Sequence, residues 1–476
     1  VNVLAIDQGT SSTKALVVGE GGEVLAQAEV AVHPTATTDG GVEADPEELL
    51  HSVVEAGRQA LGEAGVPVGA AGLANQGETV LAWEPETGRP LTAAIVWEDR
   101  RATDVTEGLR DRAEELEWLT GLKLDPYFAA PKMAWLRKHV TNGGVVSTSD
   151  AWLLQRLTGE YVTDAATASR TMLLDLDTAE WSGAAGAAFG LDPAAQPRIV
   201  ANAGVVGETA AFGDPIPVAG LAVDQQAALF AESCHSPGEA KCTYGTGAFL
   251  LTTLGPEARR SRTGLVSCVA WRLGETTTYC LDGQVYTVGS AVSWLQAVGL
   301  IAGPKDLDAV GGRTGSAAGV VFVPGLAGMA APFWRPAARG AFVGLSLGTR
   351  REHLIRAVIE GIAAEVAWLA RAAGSDLGRP LMRLRVDGGL TRSTTLMQTQ
   401  ADLLQTPVEV YPSPHATALG VGALARLGVG EVATPADALG PWRPAAVYEP
   451  RVSSDEAQER LSRWRRVAEA TMELHG

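Results

Sequence analysis

The feature that most constrains this chain is a strand, a Gly/Thr turn and a second strand, found near its start and again past its middle. Val3-Leu4-Ala5-Ile6 runs into the polar turn Asp7-Gln8-Gly9-Thr10-Ser11-Ser12-Thr13-Lys14 and emerges as Ala15-Leu16-Val17-Val18. Short apolar runs on either side of a glycine and hydroxyl turn predict a hairpin. Residues 24–30 extend as a third strand. Residues 45–61 then carry a helix start, with Asp45 as cap, Pro46 at the first helical position, and Leu49, Leu50, Val53 and Val54 at helical spacing. Three strands followed by a helix open an α/β domain. The pattern returns at Cys242-Thr243-Tyr244-Gly245-Thr246-Gly247-Ala248-Phe249-Leu250-Leu251, and extended segments follow at 264–271 and 276–281. Similar halves imply a duplicated fold, with a ligand cleft between two lobes.

At 476 residues the chain holds two or three domains of roughly 100–200 residues each. The turn-rich Ser233-Cys234-His235-Ser236-Pro237-Gly238 marks the expected boundary, dividing residues 1–230 from 231–476. Proline and glycine are dense at 183–220 but interrupted by apolar runs, which predicts loops and short elements. Residues 455–473 read as an amphipathic helix, with Leu461, Trp464, Val467 and Met472 turned back onto the body.

Hydrophobic residues at 46% and charged ones at 20% allow burial to offset ordering entropy, so general disorder is excluded. With 38 basic and 55 acidic side chains the formal charge is −17, which argues against duplex nucleic acid as a partner. Cys234, Cys242, Cys268 and Cys280 form no C-x-x-C pair. They fit small buried hydrophobes of a reducing compartment, and no structural zinc is expected. No basic start or cleavage site precedes Asp7, so a cytoplasmic location is expected. Two uncharged stretches, 283–304 and 314–334, reach membrane length. The first carries Gln284, Ser290, Ser293 and Gln296, and the second is broken by Pro324, Pro332 and glycines, so neither is expected to span a bilayer.

The first turn holds a carboxylate, a glycine, four hydroxyls and a lysine within eight residues. Such a loop can converge N–H groups on a phosphate, while an aspartate at a strand end holds Mg²⁺ directly or through water. A plain polar turn fits the same residues. Asp387-Gly388-Gly389 after Leu384-Arg385-Val386 is a second strand ending in a carboxylate, suited to a nucleotide or to a simple strand-to-helix turn. Gly420-Val421-Gly422-Ala423-Leu424-Ala425 matches G-x-G-x-x-A. It follows a polar turn and lacks an acidic partner strand, so it reads as small residues in a tightly packed helix. Neither a P-loop nor the protein-kinase set of motifs occurs.

Together, several motifs resemble the FGGY carbohydrate kinases, nearest in pattern to the glycerol kinases among them. They are Asp7-Gln8-Gly9-Thr10-Ser11, Ile95-Val96-Trp97-Glu98-Asp99-Arg100-Arg101, Leu124-Asp125-Pro126-Tyr127-Phe128, Asp224-Gln225-Gln226-Ala227-Ala228, Tyr244-Gly245-Thr246-Gly247 and Asp387-Gly388-Gly389. Phe322-Val323-Pro324, Ala331-Pro332-Phe333-Trp334 and the run from Gly340 to Glu360 extend the likeness, and the matches keep family order from residue 3 to about 425. The resemblance implies an α/β fold of two actin-like, ribonuclease-H-like lobes with a deep interdomain cleft. The lobes are expected to close over ATP, Mg²⁺ and a small polyol or sugar.

The same resemblance implies a role for each matching residue. Asp224 is the general base, a role compatible with capping the helix expected from Gln225. Asp7 orients Mg²⁺, directly or through water. Thr10, Ser11, Ser12 and Lys14 line the phosphates from one lobe and Gly245, Thr246 and Gly247 from the other. Gly289 lies near the nucleotide, and Gly388 and Gly389 lie against the adenosine. Ser393 stands where the family's glycerol kinases often carry Asn, and its shorter hydroxyl can still hydrogen-bond. The acceptor is expected to meet Gln76, Gly77, Glu78, Trp97, Tyr127, Asp224 and Gln225, with Phe249 as an apolar wall. From the residues alone, Trp97 fits a core position equally well, and Tyr127 a packed loop.

One departure bears on the substrate. Asn75-Gln76-Gly77-Glu78-Thr79 resembles Asn-Gln-Arg-Glu-Thr, and the arginine that grips glycerol in that motif is Gly77 here. An unmet hydroxyl costs about 1–3 kcal/mol, which points to a four- or five-carbon polyol or ketose that fills the space, with glycerol itself as the alternative. The Gln-Met-His-Gly pattern usual in ketopentose kinases is absent at this strand. A different class of function, an idle sugar sensor or an actin-like scaffold, would need no base, and Asp224 favours the enzyme. No interface pattern stands out, so homo-oligomerisation is left open.

Overall fold

In the computed structural model, which describes residues 1–38 and 40–474, the first polar turn joins Val3–Gln8 (β1) to Ser12–Val18 (β2) as an antiparallel hairpin with Asp7 opposite Lys14. Val24–Ala31 (β3) pairs with β2. Asp45 accepts from the Glu47 N–H at 2.9 Å and starts Pro46–Ala64 (α1). Leu49, Val53, Ala56 and Ala60 of α1 are buried in one cluster with Leu4 and Ile6. Two parallel strands follow beside β1: Ala70–Asn75 (β4), then Ile216–Val223 (β6), itself antiparallel to Ala203–Thr209 (β5).

The second half repeats the arrangement. Ala240–Tyr244 (β7) and Ala248–Gly255 (β8) form the second hairpin. Val266–Leu273 (β9) and Thr276–Val285 (β10) extend it on one side. Leu384–Asp387 (β11), Val408–Val410 (β12) and Ala446–Tyr448 (β13) extend it on the other. All thirteen strands join in one sheet of order β13-β12-β11-β7-β8-β10-β9-β5-β6-β4-β1-β2-β3. Its halves meet at a single residue pair, Ala203 opposite Leu273. This is the duplicated α/β architecture that the repeated hairpin implies and the actin-like, two-lobed fold that the resemblance implies.

The helices that position the site are Ala129–His139 (α2), Ala165–Ser169 (α3), Asp224–Ala231 (α4), Gly289–Ala297 (α5), Arg351–Leu377 (α6), Thr394–Leu404 (α7), Ala416–Gly428 (α8) and Ser454–Glu473 (α9). The Gly-x-Gly-x-x-Ala run is indeed helical, within α8. A Cβ at Gly420 would stand 1.9 Å from the Ala227 carbonyl oxygen, so backbone packs on backbone there. Although late in the chain, α8 lies against β1, β4 and β6 of the first half, with Val421 and Leu424 buried beside Val3 and Ala5. Helix α9 buries Leu461, Trp464 and Met472, as its spacing predicts. A smaller five-stranded sheet, built from Thr35–Ala36, Val42–Ala44, Ala94–Ile95, Val80–Trp83 and Val145–Thr148, flanks the first lobe. The four cysteines are free and buried. Among the described residues no helix is long and apolar enough to cross a membrane.

Candidate functional site

Three neighbouring parallel strands end level with one another, Gln8 beside Asn75 and Asn75 beside Val223. The residues just past these ends are therefore brought together: the first polar turn, Gln76-Gly77-Glu78, and Asp224. Ligands of open α/β sheets bind outside such carboxyl ends. Residues 7 and 14, opposite each other in the hairpin, share a face with Ser12. Thr13 turns the other way, its hydroxyl 2.6 Å from that of Ser52. Ser12 donates to Glu29 at 2.6 Å. Thr10 accepts from the Trp97 indole at 2.8 Å and donates to the Gln76 side chain at 3.2 Å. Ser11 is exposed.

The second lobe aligns its own strand ends, with Thr243 beside Asp387. The Gly245-Thr246-Gly247 loop that follows β7 is fastened to the start of α5. Val288 and Ser290 N–H groups donate to the Thr246 carbonyl at 3.0 and 3.1 Å, and Gly289 N–H to the Gly245 carbonyl at 3.0 Å. A Cβ at Gly289 would lie 2.5 Å from that Gly245 oxygen. Gly388 has φ +96° and passes so close to Tyr244 that a Cβ would meet its carbonyl oxygen at 2.4 Å, whereas Gly389 faces open space. Gly289 and Gly388 thus allow a backbone approach that a side chain would block. Ser393 caps α7, accepting from Leu396 N–H at 3.2 Å and donating to Asp308 at 3.0 Å.

The two sets of strand ends are electrostatically joined. Burial first, then the negative charge of Asp224, pushes the Asp7 carboxyl up to about 7; Lys14 opposes the rise and Asp387 adds to it. Burial raises Asp387 as well, against the charge of Lys241 and hydrogen bonds to Thr243 and Glu232. A cation relieves this clustering of carboxylates. No described group of three or more acidic, histidine or cysteine side chains could hold a metal unaided. The arrangement fits Mg²⁺, which keeps water and phosphate oxygens among its ligands.

Around Asp224 the polar contacts are specific. The base candidate is the first residue of α4, half-buried, its Oδ1 accepting from Gln225 N–H at 2.7 Å. Burial raises its carboxyl above the usual range. Gln225 is held by Lys241, fully buried on β7, whose ammonium donates to Gln225 Oε1 at 2.6 Å and to Thr243 Oγ1 at 2.7 Å. Phe249 pairs in register with Thr243 on one side and Gln284 on the other, so it shares their face of the sheet.

Glu78 is buried and holds φ at +59°, an uncommon conformation for a side-chain-bearing residue and one maintained only by surrounding structure. Its Oε1 accepts from Nε of Arg170, which follows α3, and Nη1 of the same guanidinium donates to Asp282 of β10. Arg170 also lies over the Tyr127 ring, 5.9 Å from its centroid, and Tyr127 meets Trp97 edge to face at 5.8 Å. The Tyr127 loop hangs on Lys132 of α2, a fully buried ammonium donating to the carbonyls of Pro126, Tyr127 and Phe128. At Gly77 an added Cβ would meet Val223 Cγ2 at 3.0 Å and Arg170 Nε at 3.8 Å.

Sequence reasoning thus pointed to residues that converge at the strand ends, but it missed Arg170, Lys132, Lys241 and Asp282. A signal existed. Arg170, Lys132 and Asp282 are each a lone charge among uncharged neighbours, as in Ala165-Ala166-Thr167-Ala168-Ser169-Arg170, and a charge that must be buried is the informative exception.

The chain matches the FGGY family of carbohydrate kinases, N-terminal domain, over residues 2–231 and the C-terminal domain of the same family over 240–428. The glycerol kinase of Aromatoleum aromaticum is 40% identical over 485 residues, covering 98% of each chain. That of Thermus brockianus is 41% identical over 484 residues, again covering 98% of each. Among solved structures, Plasmodium falciparum glycerol kinase with ADP superposes with a TM-score of 0.92 at 30% identity, covering 99% of this chain and 98% of that one. The xylulose kinase of Rhodospirillum rubrum gives 0.89 at 25% identity, with 100% of both chains covered.

Proposed function

The chain belongs to the FGGY family of carbohydrate kinases, ATP-dependent phosphotransferases acting on a sugar or polyol, and from that premise we propose that its acceptor is a four- or five-carbon polyol or ketose phosphorylated at a terminal hydroxyl. The observation that carries this reading is Gly77. Where the glycerol kinase motif sets an arginine, this chain has no side chain, next to the buried Glu78, whose ion-pair partner Arg170 lies over the Tyr127 ring. A longer acceptor would supply the contacts that the missing arginine leaves unmade. A second reading, glycerol itself, is favoured by the 40% identity to curated glycerol kinases over nearly the whole chain.

Asp224 is the base in this proposal. With Oδ1 held by Gln225 N–H, its other oxygen accepts the acceptor hydroxyl proton as that oxygen attacks the γ-phosphorus. Gln225, anchored by Lys241, offers its amide N–H₂ to an acceptor oxygen. Gln76, Glu78, Trp97 and Tyr127 orient the remaining hydroxyls, and Phe249 covers the C–H edge. Thr10, Ser11, Ser12 and Lys14 face the phosphates from one lobe and Gly245 to Gly247 from the other. Gly289, Gly388 and Gly389 leave room for the nucleotide, and Ser393 acts on it only through its cap of α7. Asp7, with the Asp387 charge near enough to raise it, would hold Mg²⁺, which when bound neutralises charge on the transferring phosphoryl group. The division between lobes is proposed near residue 231, with α8 returning to the first lobe. The free, buried cysteines support a cytoplasmic setting.

Rates of ATP-dependent phosphorylation of glycerol, erythritol, erythrulose, xylulose and ribulose test the acceptor. We expect kcat/KM for a four- or five-carbon compound to exceed that for glycerol at least tenfold. Glycerol preferred by orders of magnitude overturns the reading in favour of the second.

A further inference from the structure

Gly77, buried and with Val223 Cγ2 3.0 Å from where its Cβ would stand, has a neighbour that the family motifs did not point to. Arg170 is 4% exposed, and its guanidinium spends Nε on Glu78 and Nη1 on Asp282. Nη2 has no hydrogen-bond partner among the described residues, and the Nε of the same planar group is the nearest polar atom to the position a residue-77 side chain would leave, at 3.8 Å from its Cβ. The guanidinium carbon stands 5.9 Å from the Tyr127 ring centroid and the group is pinned by two carboxylates, so its remaining N–H edge is preorganised. Asp282 Oδ1 and Gln284 Oε1 are buried acceptors with no partner among the described residues, on alternate residues of β10 and hence on one face with Phe249. A donor edge beside orphaned acceptors is what a hydroxyl, which both accepts and donates, can satisfy.

We propose that Arg170, together with Asp282, is the specificity-determining group of this kinase. It reads the oxygen on the carbon beyond the third of the acceptor and so takes over the recognition that a residue-77 arginine would provide. This rests on the four- or five-carbon reading above and adds two features to it. The extra carbon must carry an oxygen. The acceptor must also be neutral, because Arg170 is already balanced by Glu78 and Asp282 and the nearby Asp224 adds further negative charge, so an aldonate carboxylate is rejected.

The test compares glycerol, erythritol, butane-1,2,3-triol and erythronate as acceptors for the wild-type enzyme, Arg170→Lys and Gly77→Arg, with KM for ATP measured alongside. For the wild type we expect erythritol to exceed butane-1,2,3-triol at least tenfold in kcat/KM, chiefly through KM, and erythronate to be turned over at least a hundredfold less well than erythritol. Arg170→Lys should shrink the erythritol-to-glycerol ratio at least tenfold, and Gly77→Arg should invert it. A wild-type enzyme indifferent to loss of the fourth hydroxyl overturns the assignment even if the variants fail to fold. So does an Arg170→Lys enzyme whose acceptor ratio is unchanged, since a purely structural ion pair lowers all acceptors alike. If the wild type instead prefers glycerol to every longer acceptor, the four- or five-carbon reading itself has failed, and this inference with it.

Discussion

The indole Nε1 of Trp97 donates to Oγ1 of Thr10 across 2.8 Å, binding the polar turn after β1 to the end of the small flanking sheet. The same hydroxyl reaches Gln76, so one threonine ties the proposed phosphate turn to the proposed acceptor pocket. Trp97→Phe keeps most of the ring and removes the donor. A lost hydrogen bond of this kind costs about 1 kcal/mol, and we expect a roughly five- to tenfold fall in kcat/KM for the acceptor with the fold intact. Steady-state kinetics with unchanged constants would count against the link.

Replacing Asp224 by Asn removes the proposed proton acceptor while keeping the shape at the start of α4. Phosphoryl transfer should fall by about 10²–10⁴-fold, the usual contribution of a positioned base. ATP affinity, measured by calorimetry, should change little. Turnover near the wild-type rate would defeat the assignment.

Lys132 supports the site without reaching the cleft. Its ammonium satisfies three consecutive carbonyls under Tyr127, and burial lowers it to about 7. Lys132→Met leaves those carbonyls unpaired, at about 1–3 kcal/mol each before relaxation. The acceptor KM should rise at least tenfold while KM for ATP stays within about threefold. Equal rises in both would point to general unfolding instead.

Gly289→Ala places a Cβ 2.5 Å from the Gly245 carbonyl oxygen, so either α5 or the Gly245 to Gly247 loop must shift. Overpacking of this order costs about 1–3 kcal/mol. The expected outcome is a lower melting temperature together with a raised KM for ATP. An alanine variant with wild-type values of both would contradict the close backbone approach.

Asp150 gives a pH dependence of stability remote from the chemistry. Burial, then the charge of Asp164, raises its carboxyl from 3.8 to about 6, and its Oδ1 has no partner among the described residues. The folded state therefore binds more protons between these values, and stability falls as pH rises through them. The penalty is fully present above about pH 6, on the order of 3 kcal/mol, and vanishes below about pH 4. Asp150→Asn should accordingly raise the melting temperature at pH 7.5 and have little effect near pH 4. Equal shifts at both values would rule out titration as the cause.

Much of this was legible along the chain because it is local. Asp7 to Lys14 and Gly245 to Gly247 read as turns between strands, since alternation of apolar residues and the demand of a tight turn for glycine both act within ten residues. Asp45 and Pro46 announced α1 in the same way. Ser393 illustrates the limit: its hydroxyl is spent on Leu396 and Asp308, the latter on a separate segment.

The amino-acid order alone determined the repeated hairpins, the family signature and the missing side chain at residue 77, because these depend on near neighbours and on identity at a position. Tertiary structure alone decided what stands beside residue 77. Arg170 reaches Glu78 from 92 residues away and Asp282 from 112, pairings that no local pattern encodes. A charge survives in the interior only where folding delivers its counter-charges, so its partners are settled by packing and not by sequence spacing.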